Sequence, residues 1–166
     1  MKIKAKLFLG IGLLFAMIVL LTAIGSIYIN KLSADTKNIL VANYNTLDYS
    51  RKMQIALNNG IKATEHNNLF QVNLKLQQNN VTEVGEKELT ANLALHYEQL
   101  QKNPADTFSI KLVRSDIFNI MLLNMQAIER KSKIAGATAD NSIFGVTIIG
   151  TLCFLPAAYF LKINPE

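Results

Sequence analysis

The chain has 166 residues, half of them hydrophobic, with a formal net charge of +5, no tryptophan and a single cysteine. One cysteine excludes an internal disulfide framework and a paired-thiol redox site. Residues 30–142 hold 13 Lys or Arg against 11 Asp or Glu, a net charge of +2, and the other +3 comes from four lysines at positions 2, 4, 6 and 162 against Glu166. Much of the basic excess therefore lies beside apolar segments, which is typical of membrane topology rather than of a nucleic-acid-binding face.

The first apolar segment follows the lysines of residues 1–6 and covers residues 7–29, where no side chain is charged. A secretory signal peptide is one interpretation, since Ala23 and Gly25 frame a small-x-small cleavage pattern. The apolar run continues past that point to Ile29, so we favour an uncleaved transmembrane helix. The three lysines before this helix predict that residues 1–6 are cytoplasmic and that residues 30–142 lie outside.

Three amphipathic helices are predicted after this segment. The first continues from the membrane to about Thr64, the second covers roughly residues 65–78, and the third opens between residues 80 and 85 and runs to Gln101. Their apolar stripes are, in chain order, Leu32, Ile39, Leu40, Leu47, Met53, Leu57 and Ile61; then Leu69, Val72 and Leu76; then Leu89, Leu93, Tyr97 and Leu100.

The last predicted helix begins with Asn103 as its N-cap and Pro104 at its first position. A seam recurs along it at steps of three and four residues: Ile110, Val113, Ile117, Ile120, Asn124, Ala127, Lys131, Ile134 and Thr138. Residues 143–161 are uncharged, and as a helix they span ~28 Å, about the thickness of a bilayer core. We expect a second transmembrane helix there, with residues 162–166 forming a cytoplasmic stub.

Together these segments predict an all-α protein. Its architecture is an up-down-up-down four-helix bundle whose two long helices are continuous with two transmembrane helices. Since only two helices per chain remain near the membrane, we expect a parallel homodimer that completes the bundle there.

Catalytic chemistry is not indicated anywhere in the sequence. His66 and His96 are the only histidines, and neither belongs to a recognisable metal-ligand motif. There is no glycine-rich phosphate loop and no nucleophile-base arrangement. We therefore expect no enzyme activity, no cofactor and no metal in this chain.

One hypothesis is an anion-binding site formed by four cations of the first and last helices: Arg51, Lys52, Lys111 and Arg114. The alternative, which we favour, is a solvated charged face paired with Asp48 and Asp116. Asn124 is a polar residue on the seam, and it either fixes the register of a dimer or faces water. Pro156 interrupts the second span, where it acts as a pivot or is a tolerated defect.

Three stretches resemble a known family: NNVTEVGEKELT at residues 79–90, AIERKSKIAGATAD at residues 127–140 and IIGTLCFLPAAYFL at residues 148–161. They look like the sensory input region of bacterial two-component sensor histidine kinases of the Bacteroidetes alginate-sensor-like type. The resemblance implies a place in the bacterial inner membrane, with residues 30–142 periplasmic. In such proteins a HAMP linker, a phosphoacceptor helix and an ATP-binding domain follow the second span and act on a response regulator. This sequence ends at Glu166, so we interpret it as a fragment, a truncated product or a sensor-only protein.

The expected function is therefore reception of a small-molecule or protein stimulus outside the membrane and its relay through the second span. The input half of a methyl-accepting chemotaxis-type receptor is one alternative, because it shares the bundle and differs in its output. A structural or scaffolding membrane protein is the other.

Overall fold

The computed structural model describes residues 3–163, and within them the side chains outside residues 3–7, 9, 34–40 and 153–163. Every regular element in this range is an α-helix: α1 Ile3–Asn59, α2 Thr64–Gln78, α3 Glu86–Lys102 and α4 Thr107–Ile163. The predicted all-α class is confirmed. The chain divides into two compact units, which we call the packed unit (Lys37–Ser132) and the terminal unit (Met1–Thr36 with Lys133–Glu166).

The packed unit has one hydrophobic core to which all four helices contribute. Its fully buried members include Met53 of α1, Phe70 of α2, Leu93 of α3 and Ile117 of α4. The Phe70 and Tyr97 rings stack with their centroids 3.9 Å apart. The apolar stripe predicted for α3 is confirmed, and so is the seam of α4 from its partly buried start at residue 110 through the buried residue 127. Further along that seam Ile134 is 56% exposed.

The face predicted for α2 is confirmed at Leu69, which packs partly buried against the core, and is wrong at its other two positions. Val72 and Leu76 are exposed, whereas the buried residues of this helix are Phe70, Asn73, Leu74 and Gln77. The helix is rotated relative to the prediction so that Phe70 and Leu74 enter the core, and the side-chain amides of Asn73 and Gln77 donate hydrogen bonds inside the unit. Asn73 donates to the carbonyl of Leu69, and Gln77 donates to a buried carboxylate described below.

α1 ends at Asn59, earlier than the predicted end near Thr64. Gly60 follows with a φ of +88°, a left-handed conformation that glycine adopts without the penalty of a Cβ atom. Its N–H donates to the carbonyl of Leu57, which closes the last turn. The chain then leaves the helix axis before α2 begins.

α4 begins at Thr107, so the prediction of Asn103 as its N-cap and Pro104 at its first position is wrong. The cap is Asp106, whose carboxylate accepts the backbone N–H groups of Phe108 and Ser109, both at 3.1 Å. The Ser109 hydroxyl donates to the same carboxylate. That bond and the two backbone bonds lower the pKa of Asp106. An aspartate that can reach two orphan N–H groups defines the start more strongly than the proline before it.

Gly85 precedes α3 with a φ of +87°. We expect Gly85→Ala to lower the free energy of unfolding of the packed unit by about 1 kcal/mol, because an L side chain is strained in this region. Urea unfolding of the full chain in detergent, followed by tyrosine near-UV circular dichroism, measures the change. Gly85→Asn is the control, since asparagine tolerates the left-handed region better; equal losses in both variants contradict the conformational explanation.

The terminal unit contains a helical segment that can cross a membrane. Residues Gly10–Ser33 of α1 have a mean hydropathy of 2.4 over 24 residues, and none of that window is buried. Residues from Cys153 onward have no described side chains, so much of the second predicted span lies outside the described part and that span stays a prediction. Within this unit both long helices line an apolar groove of about 410 Å³, where Tyr28 of α1 approaches Gly145 of α4.

Candidate functional site

A buried polar layer crosses the packed unit at one end of its hydrophobic core. We define this polar layer by six side chains, drawn from α1, α2, the loop before α3, α3 itself and α4: Asn43, Thr46, Gln77, Glu83, Glu86 and Asn124. Glu86 is 0% exposed. A fully buried carboxylate is rare in a small helical protein unless its hydrogen bonds are satisfied, so its surroundings are the most informative part of the unit.

Glu86 accepts hydrogen bonds on both oxygens. Oε1 accepts the Thr46 hydroxyl at 3.2 Å, the Gln77 amide at 3.0 Å and the Asn124 amide at 2.8 Å. Oε2 accepts the backbone N–H groups of Thr82 at 2.8 Å and Glu83 at 3.0 Å. One carboxylate thus joins α1, α2 and α4 to the first residue of α3.

Glu83 forms the outer part of the layer, with only 7% of its side chain exposed. It accepts the Asn43 amide of α1 at 3.2 Å, and it forms ion pairs with Arg130, at 3.3 Å, and Lys131, both of α4. These two basic residues of α4 are therefore partners of the loop before α3. It links α4 to α1 through one carboxylate.

Polar residues reach these positions because they continue the core-facing register of their helices. On α1 the buried positions Asn43, Thr46, Ser50, Met53 and Leu57 follow one another at steps of three and four. The first three are polar, so a search for apolar spacing misses them. The same applies to Gln77, one turn after Asn73 on α2.

Two opposing effects set the pKa of Glu86. Burial raises the pKa of this carboxyl, and the backbone N–H groups of Glu83 and Thr82 and the amides of Asn124 and Gln77 lower it. The hydrogen bonds outweigh burial, and the pKa lies below its usual value of 4.5. The group is therefore held ionised, which makes it a poor general acid and a good anchor for N–H and O–H donors.

This shift makes the stability of the packed unit depend on pH. A carboxyl with a lowered folded pKa contributes stability that is fully present above its unfolded value of 4.5 and is lost as the pH falls through the folded value. We expect the free energy of unfolding to decline as the pH drops below about 4.5, with a smaller decline in Glu86→Gln. Urea unfolding at a series of pH values tests this, and parallel curves for both proteins contradict it.

The four cations of the predicted anion site lie on the exposed side of α1 and α4. Arg51 and Lys52 pair with Asp48 of their own helix at 2.8 and 2.6 Å, as the alternative of a paired charged face expects for that carboxylate. These pairs lower the pKa of Asp48. Arg114 donates to Asn58 of α1 at 3.0 Å, and Lys111 is exposed. Binding of an anion by this set stays a prediction.

Asn124 is 0% exposed, so the interpretation that it faces water is wrong. Its amide donates to Glu86 and to the carbonyl of Ile120 within the same chain, so a partner across a dimer is not required to explain this seam residue. The side chain of Pro156 lies outside the described part of the chain.

His96 contacts Asp116, one of the two carboxylates of the predicted charged face. Its Nδ1 lies 2.6 Å from the carboxylate of Asp116, which belongs to α4. The contact joins α3 to α4 within the packed unit. His66 lies in the first turn of α2. Among the described residues no group of three or more His, Cys, Asp or Glu is placed to hold a metal ion.

Comparison with protein-family models, curated proteins and solved structures gave no match to this chain. The resemblance to sensor histidine kinase input regions therefore stays a prediction.

Proposed function

We propose that this chain is a membrane-anchored sensor module. In this proposal the packed unit is an up-down-up-down four-helix bundle outside the cytoplasm, held by two transmembrane helices, and it passes a stimulus to a cytoplasmic output. The sequence resemblance supports a histidine kinase as that output, with a response regulator as its downstream partner. The stimulus is a small molecule or a protein.

The observation that carries the proposal is the composition of α4, a helix of 57 residues that contributes to both compact units. In the packed unit it supplies Ile117 to the core and Asn124 to the polar layer. In the terminal unit it exposes Ile143 and Phe144, both more than 60% accessible, as a membrane helix does toward lipid. One part of this helix is held by buried contacts and the other part is apolar. Such a helix is suited to pass a displacement from the packed unit to the membrane.

Apolar residues on the outward sides of α1 and α4 support a homodimer. Phe118, Leu122 and Met125 follow one another at steps of four and three on the side of α4 opposite the core, and each is more than 40% exposed. Val41 and Tyr44 are similarly exposed on α1. Such stripes on the two long helices suit a parallel dimer of the whole module.

Disulfide crosslinking in membranes tests the dimer. In a background where Cys153 is replaced by alanine, Leu122→Cys is expected to crosslink with a second copy. Lys75→Cys, on the exposed side of α2, is the matched control and is expected not to. A monomeric pattern at both positions rejects the dimer.

Relay is tested by combining a reporter in the terminal unit with a perturbation of the packed unit. We expect the crosslinking efficiency of single cysteines at successive positions from 143 to 151 to change its periodic pattern when Glu86→Gln is added. A structural or scaffolding protein predicts that this pattern stays the same, because its membrane helices need not respond to the bundle.

A further inference from the structure

The polar layer contains a buried negative charge whose direct contacts are all neutral. In the part of the chain that the structure describes, the Glu86 carboxylate is bonded by a hydroxyl, two amides and two backbone N–H groups. The neighbouring cations Arg130 and Lys131 contact Glu83 instead, and Arg130 keeps 58% of its side chain in solvent. Buried charges are usually balanced by an ion pair or a bound ion.

Five oxygen atoms on buried residues have no hydrogen-bond partner among the described residues. They are three amide oxygens and two hydroxyls, on residues that are at most 3% exposed: Asn43 Oδ1, Gln77 Oε1, Asn124 Oδ1, Ser50 Oγ and Thr90 Oγ1. Since more than nine in ten buried polar atoms in proteins are bonded to protein or to ordered water, these five oxygens are available to a ligand. Three of the five residues belong to the polar layer itself.

The orientation of the amides follows from their bonds to the carboxylates. Gln77 and Asn124 direct their nitrogens to Glu86, so their carbonyl oxygens are the ends left unpaired. An amide that donates to an anion is polarised, which makes its oxygen a stronger acceptor. Ser50 and Thr90 lie one helical turn beyond Thr46 and Glu86 on the same faces, so their hydroxyls adjoin the layer.

The chemistry of the unpaired oxygens identifies the class of ligand. All are oxygens, which suit hard cations and ammonium groups and exclude a preference for soft transition metals. Of the two carboxylates in the layer, Glu83 is paired with Arg130 and Lys131, so the remaining negative charge of Glu86 matches a single positive charge, whereas protein sites for calcium use several carboxylates. We propose that the polar layer binds one small monovalent cation, Na⁺, K⁺ or NH₄⁺, through the oxygens of Gln77, Asn124, Ser50 and Thr90. The proposal concerns the packed unit alone and holds whether or not the chain relays a signal.

Hydrogen exchange of the full chain in detergent tests this site, with α3 as the reporter because Glu86 and Thr90 both belong to it. The exchange rate of its amides is compared in NaCl, KCl, NH₄Cl and choline chloride at equal ionic strength. Choline is too large for a buried layer of this kind. A site with a dissociation constant of about 10 mM slows exchange about tenfold at about 100 mM of the cation, and the three small cations show whether a metal ion or ammonium is preferred.

Two variants connect the effect to the layer. Glu86→Gln removes the charge and is expected to abolish the difference between the small cations and choline. Thr90→Val removes one unpaired hydroxyl and leaves every hydrogen bond of Glu86 in place, so it tests the site even if Glu86→Gln does not fold. In Thr90→Val the difference in exchange rate between the small cations and choline is expected to be severalfold smaller. Thr64→Val, at an exposed position of α2, is the matched control and keeps the wild-type response. Equal exchange in all four salts, as internal water alone would give, overturns the proposal, and so does an unchanged cation response in Thr90→Val.

Discussion

Replacing Glu86 by alanine is expected to lower the free energy of unfolding of the packed unit by about 3–5 kcal/mol. The change leaves the hydroxyl of Thr46 and the amides of Gln77 and Asn124 without their shared acceptor, and it frees two backbone N–H groups before α3. Each buried donor that loses its partner costs about 1–3 kcal/mol, and the losses are not additive because the donors share one site. Urea unfolding of the full chain in detergent measures the total.

Glu88→Ala is the matched control, since Glu88 lies on the same helix and is exposed. It is expected to change the stability little. Glu86→Gln keeps one acceptor oxygen in the same place, so its loss is expected to lie between those of the two alanine variants. If Glu86→Ala proves as stable as Glu88→Ala, the polar layer does not hold the four helices together.

Replacing Phe70 by alanine is the second large effect, with an expected loss of about 3–5 kcal/mol. Phe70 is 0% exposed, and its ring stacks on that of Tyr97, with an angle of 8° between the planes. The substitution removes the largest buried ring of α2 and leaves a cavity that the helices cannot fill without shifting. The tyrosine near-UV circular dichroism is expected to weaken at the same time, because Tyr97 loses its aromatic neighbour.

Phe108→Ala provides the comparison for the same residue type. Phe108 is 65% exposed at the start of α4, so its removal is expected to alter the free energy of unfolding by less than about 0.5 kcal/mol. Similar losses in Phe70→Ala and Phe108→Ala contradict the assignment of Phe70 to the core.

The helices and part of the core were predictable from sequence because local patterns determine them. The apolar spacing of Leu93, Tyr97 and Leu100 on α3 identifies the buried face directly, since a helix with a single apolar stripe has one way to bury it. On α4, Val113 and Ile117 follow the same rule. Helix ends were less predictable: the choice between Asn103 and Asp106 as the cap of α4 depends on which side chain reaches the free N–H groups, a matter of local geometry.

The polar layer was not predictable from hydrophobic periodicity. Asn43 and Thr46 belong to the buried face of α1, but their polarity assigns them to the exterior in any apolar pattern. Their burial is favourable only because Glu83 and Glu86, some forty residues further along the chain, accept their hydrogen bonds. The available signal was geometric: these positions continue the three-four spacing of Met53 and Leu57. Asn124 gave the same signal on α4, and its partner is Glu86 within the same chain.

The central claim is that the packed unit lies outside the cytoplasm while both ends of the chain lie inside, and cysteine accessibility in intact bacterial cells tests it most directly. With Cys153 replaced by alanine, single cysteines are placed at Lys75 on α2 and at Lys162 near the end of α4. A membrane-impermeant maleimide is expected to label position 75 in intact cells and position 162 only after the membrane is permeabilised. Labelling of position 75 only after permeabilisation, or recovery of the chain in the soluble fraction, contradicts the account.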